Sequence, residues 1–209
     1  RIILGGLGFP ILFNFIQYLK HLVKNLFSKY NHRHQPWIIN LNTRIVLVTT
    51  LLLLVSGAAL FYWIEYDNTL AEHGQFGKLV TAFFLSVTPR TAGFNTVSNA
   101  AMHTSTVLWM FFLMWVGASP ASTGGGIKTS TFAITVLNAI GLARGKDKIE
   151  LYGRQLSESS IRRAYAQVFM SLLAIFVGVL LVMTFDPKLS LLSVGFECML
   201  QYNAQYGLS

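Results

Sequence analysis

Thr91-Ala92-Gly93-Phe94 and Gln205-Tyr206-Gly207-Leu208 each set one glycine in a polar turn after a short apolar run. Backbone carbonyls that replace a cation's hydration shell must point one way in succession, and glycine permits the dihedral angles this needs. Thr91, Ala92, Gly93 and Phe94 offer four such carbonyls, and the Thr91 hydroxyl adds an oxygen at the inner end. A third stretch is GASPASTGGGIKTS, residues 117–130, between the apolar runs VLWMFFLMWV and TFAITVLNAIGLA. Gly124, Gly125 and Gly126 strip the backbone of side chains, and Pro120 removes a donor and disfavours helix at Ser119. Ser119, Ser122, Thr123, Thr129 and Ser130 are able to satisfy the backbone groups so freed. Lys128, a cation at depth, should face a bundle interior or a water-filled cavity.

The elements that carry these stretches read as membrane-embedded. Of the 209 residues 53% are hydrophobic and only 11% charged, where soluble domains carry roughly a quarter charged residues. About 20 apolar residues of helix cross a hydrocarbon core. The uncharged runs between Arg44 and Glu65 and between Arg163 and Asp186 meet that length, with Tyr62, Trp63 and Tyr165 near their ends as interfacial anchors. Ser105 to Ala143 is apolar but too long for one straight span, so it reads as two half-helices flanking the interruption. The first nine residues read as the tail of an earlier span, and the chain as an internal piece of a longer polytopic protein. The one cysteine, Cys198, excludes an internal disulfide framework and a cysteine-based zinc cluster and is read as a small apolar packing group.

Charge supplies the orientation. Five Lys and Arg lie from Lys20 to Arg44 and six from Arg144 to Arg163, whereas Glu65 to Lys78 and Asp186 to Lys188 together hold two bases and four acids. The positive-inside rule makes the two basic loops cytoplasmic. The net charge of +8 therefore reports topology, and no nucleic-acid partner is implied. Phe76 to Thr104 then has to start and finish outside, and its run KLVTAFFLSV is too short to span. A re-entrant helix that dips halfway in and climbs back out resolves this.

The unit repeats. After the second full span, LSLLSVGFECMLQYNAQYGLS again sets a short apolar helix before a glycine turn, and aligning Gly93 with Gly207 sets TAGFN against QYGLS. Membrane transporters commonly build a central pathway from such repeats.

Together, TPRTAGFNT, GASPASTGGGIKTSTF, FECMLQYNAQYGLS and the opening GGLGF resemble the Trk/Ktr/HKT potassium transporter superfamily. The resemblance implies an all-α membrane protein of helix–pore-loop–helix repeats around a central ion pore, with one broken helix. It divides the chain into the end of a second-repeat inner helix (1–19), a cytoplasmic linker (20–43), a complete third repeat (44–143), a second cytoplasmic linker (144–160) and a fourth repeat truncated after its filter (161–209). The implied function is potassium uptake across the cell inner membrane. Dehydrated K+ would be held by the carbonyls of Thr91, Ala92, Gly93 and Phe94 and of Gln205, Tyr206, Gly207 and Leu208. Asn95 takes the post-filter position, where it braces the turn or faces the outer mouth. The family's fourth filter usually begins Thr-Val-Gly, so Gln205 departs from the pattern. Residues 117–130 become the intramembrane loop beneath the filter, a gate built on Gly117, Ser119, Pro120, Gly124, Gly125, Gly126 and Lys128. The implied partners are a second copy in a homodimer, membrane lipids, and a cytoplasmic nucleotide-binding regulatory subunit of the TrkA/KtrA type that contacts loops such as Gly141 to Ser160. K+ is the permeant ion, and no covalent cofactor is implied.

Other readings were set against these. A glycine-rich packing contact is the plain alternative for the loop. A nucleotide P-loop fails because Ile127 separates Gly126 from Lys128 and no strand precedes them. Arg90 supports the filter or sits in a wet turn, and in either case should point away from the axis, because a positive charge there would repel cations. Glu197 hydrogen-bonds filter backbone, pairs with a base, or faces outer water. His32, His34, His73 and His103 read as solvated loop residues. No grouping brings a nucleophile, base and oxyanion donors together, so no enzyme is expected. A secondary transporter of Na+ or another solute with broken helices, and a structural subunit without a pathway, are the competing functions.

Overall fold

The structure, a computed structural model, describes residues 2–27, 40–90, 101–122, 124–145, 150–151, 154–186 and 188–205. Its elements are helices α1 (Ile2–Leu7), α2 (Phe9–Phe27), α3 (Leu41–Ile64), α4 (Gln75–Val87), a 3-10 turn (Thr88–Arg90), α5 (Thr104–Trp115), α6 (Thr129–Ala143), α7 (Glu158–Phe185) and α8 (Leu191–Gln205), with strands β1 (Glu150–Leu151) and β2 (Arg154–Gln155) before α7. The mostly helical architecture agrees with the sequence, apart from the small antiparallel pair β1–β2, in which Glu150 faces Gln155 and Leu151 faces Arg154. Only two residues, Tyr152 and Gly153, separate these strands, a length that suits a hairpin better than a helical connection. Helix α2 continues to Phe27.

Helices α3 and α7 are long and apolar enough to cross a membrane. In α3, Val46, Thr50, Leu53, Leu54, Gly57 and Phe61 are buried, a helical stripe against the rest of the chain. Leu51, Leu52 and Val55 on other faces are exposed although equally apolar, the pattern of a helix whose outer faces meet lipid or further protein. Serines mark two helix starts: Ser157 Oγ accepts from the Ser160 amide at 3.4 Å before α7, and Ser190 Oγ from the Ser193 amide at 3.2 Å before α8.

Helix α4 folds back on α3, and Ser86 Oγ donates to the Leu54 carbonyl at 2.9 Å. That contact fixes where α4 ends: beside the middle of α3. The chain is next tied down at Ala101 and His103, whose carbonyl and amide bind Asn68 and Glu65 at the C-terminal end of α3. Leu54 and Glu65 lie about 16 Å apart along the helix axis.

The second helix pair also has a glycine at its contact. Gly57, seven residues before the end of α3, lies against Ser86 of α4; Gly178, seven residues before the end of α7, lies against Cys198 of α8. Cys198 is a half-buried free thiol in that packing role. Between helices α5 and α6, residues 116–122 and 124–128 are not helical. Phe132 of α6 meets Phe112 and Trp115 of α5 edge-on, with ring centroids 5.7 and 6.3 Å apart, so an aromatic cluster bridges the interruption. Trp115 Nε1 then donates to Ser171 Oγ of α7 at 3.0 Å. The core lies among Phe61, Leu70, Leu85, Met110, Leu113 and Val116, all buried.

Candidate functional site

Three pieces of chain far apart in sequence meet at the end of α4. Asn203, in the last turn of α8, donates its side-chain amide to the Pro89 carbonyl at 3.0 Å across 114 positions. The next residue, Arg90, is buried and donates Nη2 to the Gly117 carbonyl at 3.1 Å. Gly125 closes the circuit, because a Cβ placed there would fall on the Asn203 backbone carbonyl. The turn before Thr91, the helix end before Tyr206 and the glycine-rich loop are therefore mutual neighbours.

The loop is held by its own backbone and by its surroundings. Val116 and Ile127 form an isolated parallel bridge. The Ile127 amide donates to Trp115 at 2.9 Å, Ala118 to Gly125 at 3.2 Å and Thr129 to Ala118 at 3.1 Å. The two limbs approach so closely that a Cβ on Gly117 would overlap the Gly125 carbonyl. Gly126 adopts φ 74°, a conformation that glycine reaches without the penalty a side chain brings. On the far side, Ser119 donates both its amide, at 2.9 Å, and its hydroxyl, at 2.8 Å, to the Gly6 carbonyl of α1. Ser122 Oγ returns to the Ser119 carbonyl at 2.6 Å. The loop thus runs between α1 on one side and α8 on the other.

Lys128 is the N-cap residue of α6, and its Nζ donates to the Gly124 carbonyl at 3.1 Å. It is half-buried and lines a cavity of ≈ 290 Å³ with Gln167, Ser171 and Tyr202, in keeping with the surroundings expected of it. Arg90 borders a smaller cavity of ≈ 20 Å³ lined by Ile3, Gly6, Thr50, Leu54, Val87 and Ala118.

Glu65, directly after α3, is fully enclosed. Its carboxylate accepts from Thr106 Oγ1 at 2.5 Å, the His103 amide at 2.9 Å, Thr69 Oγ1 at 2.9 Å and Asn68 Nδ2 at 2.8 Å. Burial alone would raise its pKa, but these four donors outweigh burial and hold it below the ordinary value. It fastens the start of α5 to the end of α3.

Thr91, Ala92, Gly93, Phe94 and Asn95, and likewise Tyr206, Gly207 and Leu208, lie outside the described residues, as do Thr123, His32 and His34. Gln205 is the final residue of α8. Gly117, Ser119, Pro120, Gly124, Gly125, Gly126 and Lys128 all belong to the loop just described. Glu197 is exposed on α8 and His73 is exposed. His103 is the N-cap residue of α5, bound to Glu65 through its backbone. No group of three metal-ligating side chains occurs among the described residues. Sequence reasoning did not single out Asn203, Pro89 or Gly6, and counted Glu65 only as an outer acid. An amide side chain in the last turn of an apolar helix was the available signal for Asn203.

The whole chain, residues 1–209, matches the TrkH family of cation transport proteins. It is 33% identical over 94% of its length to the Ktr system potassium uptake protein D of Bacillus subtilis, and 33% identical over 90% to the potassium/sodium uptake protein NtpJ of Enterococcus hirae. These alignments cover 41% and 39% of the relatives, so the chain spans about two fifths of their length. The crystal structure of the potassium transporter TrkH from Vibrio parahaemolyticus superposes with a TM-score of 0.62 at 15% identity, covering 88% of this chain and 38% of that one, a likeness of fold.

Proposed function

The chain belongs to the TrkH family of cation transport proteins, and from that premise we propose that it forms part of a membrane pore for potassium uptake. One observation carries the reading: the ends of α4 and α8, which lead into the two glycine-centred segments, are joined by the Asn203–Pro89 hydrogen bond. Segments meant to share one ion must start from one place. In this reading the carbonyls of Thr91, Ala92, Gly93 and Phe94 and of Gln205, Tyr206, Gly207 and Leu208 face a common axis, with Asn95 bracing the first turn. Helices α3–α4 and α7–α8, each pairing a long helix with a short one through a glycine, are two copies of one pore-forming unit. Two further filters come from chain outside this segment.

The loop from Gly117 to Lys128 is the gate. It lies beside the turn that leads into the first filter segment and is wedged between α1 and α8. Backbone without helix is tolerated at membrane depth where protein covers it or it lines a water-filled cavity. A cytoplasmic nucleotide-binding regulatory subunit, acting on loops such as Gly141 to Ser160, would move it, and a second copy of the chain would complete a homodimer in the cell membrane.

The test is ⁸⁶Rb⁺ uptake into liposomes holding the full-length protein or its Gly93→Ser variant, with K+ and Na+ as competitors. Uptake blocked by K+ and not Na+, with discrimination lost in the variant, is the expected result. Inserted protein without cation flux would overturn the assignment. Sodium permeation is the second reading, favoured by the relative named for both potassium and sodium uptake; equal block by Na+ would select it.

A further inference from the structure

Among the described residues Arg90 is the basic side chain that the fold buries, at 6% exposure. No carboxylate lies within salt-bridge distance of it among those residues. Its Nε has no partner, and its contact is the Nη2 donation to the Gly117 carbonyl. A buried charge without an acidic partner is costly, so what this one holds is informative. On one side it follows Pro89, which Asn203 fixes. On the other it grips the residue at which the loop leaves α5, immediately before the Ala118 amide that binds Gly125.

We propose that Arg90 is a positioning residue that latches the glycine-rich loop to the filter turn, so that the loop cannot leave its docked place without disturbing the start of the filter. The latch rests on the functional reading above and adds the element that couples its two parts. When the loop moves, the guanidinium loses the Gly117 carbonyl and remains buried beside apolar Ile3, Leu54 and Val87. The docked state is favoured by that difference, and a two-state loop biased at one contact is what coupling requires. Because Thr91 is bonded directly to Arg90, the residue that lets go of the loop is also the one from which the proposed filter segment starts.

Amide hydrogen exchange on the full-length protein in lipid nanodiscs tests the latch without relying on transport. Arg90→Gln shortens the side chain and removes its charge, and Arg90→Lys restores the charge and a donor. In Arg90→Gln, exchange at Ala118 and Ser119 should rise about tenfold, corresponding to about 1.4 kcal/mol of docking free energy, while α7 amides stay unchanged. Arg90→Lys should recover much of the protection. In ⁸⁶Rb⁺ uptake the glutamine variant should show raised basal flux together with weakened K+ discrimination. Unchanged exchange at Ala118 and Ser119 in Arg90→Gln would overturn the latch, as would a rise spread equally over α3, α4 and α7, the mark of a purely structural residue. If the wild-type protein moves no cation, the pore reading fails, while the exchange comparison still decides whether Arg90 holds the loop.

Discussion

Asn203 and Pro89 are 114 residues apart in sequence, yet the side-chain amide of one reaches the carbonyl of the other at 3.0 Å. Each residue lies just before a glycine-centred segment, so the bond joins the chain at the points from which the two segments start. Asn203→Ala removes the donor and leaves the Pro89 carbonyl without it, which costs about 1 kcal/mol of stability. The functional effect should be larger than that suggests. In ⁸⁶Rb⁺ uptake the preference for K+ over Na+ as competitor should fall severalfold, with the amount of inserted protein nearly unchanged. A variant of unaltered preference would show that the bond is only packing.

Gly125 has no room for a side chain, since a Cβ there meets the Asn203 carbonyl. Gly125→Ala must push the loop off α8, and overpacking of this kind costs about 1–3 kcal/mol. Gly74→Ala is the matched control, because nothing lies within 4 Å of a Cβ at that position. Thermal unfolding of the two variants in one detergent should separate them by several degrees, with Gly74→Ala close to wild type. Equal midpoints would mean that the loop does not dock on α8.

Glu65 predicts an acid-sensitive joint. Its pKa lies below the ordinary carboxylate value because the donors Thr106, His103, Thr69 and Asn68 outweigh the opposing effect of burial. A depressed folded-state pKa means that the carboxylate's contribution is fully present above its unfolded value, about 4.3, and is lost as pH falls through the folded one. Wild-type stability should therefore drop as pH is lowered from 5 toward 3, and Glu65→Gln should flatten that part of the profile. At neutral pH the same variant should be less stable by about 1–3 kcal/mol, since an amide oxygen cannot accept all four donors. A pH profile identical in the two proteins would remove the carboxylate from this role.

The helices were legible because membrane insertion demands long apolar runs, and α3 and α7 carry them between charged ends. The lack of helix at residues 117–122 and 124–128 follows from composition: three successive glycines and a proline oppose helix wherever they occur. What the loop touches was not legible. Gly6 accepting from Ser119, and Asn203 from the last turn of α8 reaching Pro89, depend on how separate helices pack, and no periodicity records that. Arg90 shows the boundary well. Its position before Thr91 left a supporting role and a wet turn both open, and its choice of the Gly117 carbonyl came from a tertiary contact. The strand pair β1–β2 was missed because its residues, Glu150, Leu151, Arg154 and Gln155, carry no strand-like alternation over so short a run.

Lys128 allows the proposed gate to be tested from its other end. Its Nζ crosses back to the Gly124 carbonyl at 3.1 Å, tying the glycine run to the first turn of α6, and it sets a positive charge at the loop's base. Lys128→Ala removes both the tie and the charge. Each loss acts in the same direction: the glycine run gains freedom, and a cation nearing the loop meets less repulsion. Basal ⁸⁶Rb⁺ uptake by the full-length protein should rise severalfold, and the dependence on a cytoplasmic partner should weaken. Lys128→Arg keeps the charge and a donor and should stay near wild type. The pair separates a gate from a scaffold. A residue that only caps α6 would lower uptake in the alanine variant in proportion to lost folded protein, whereas a closed gate that has been loosened must pass more.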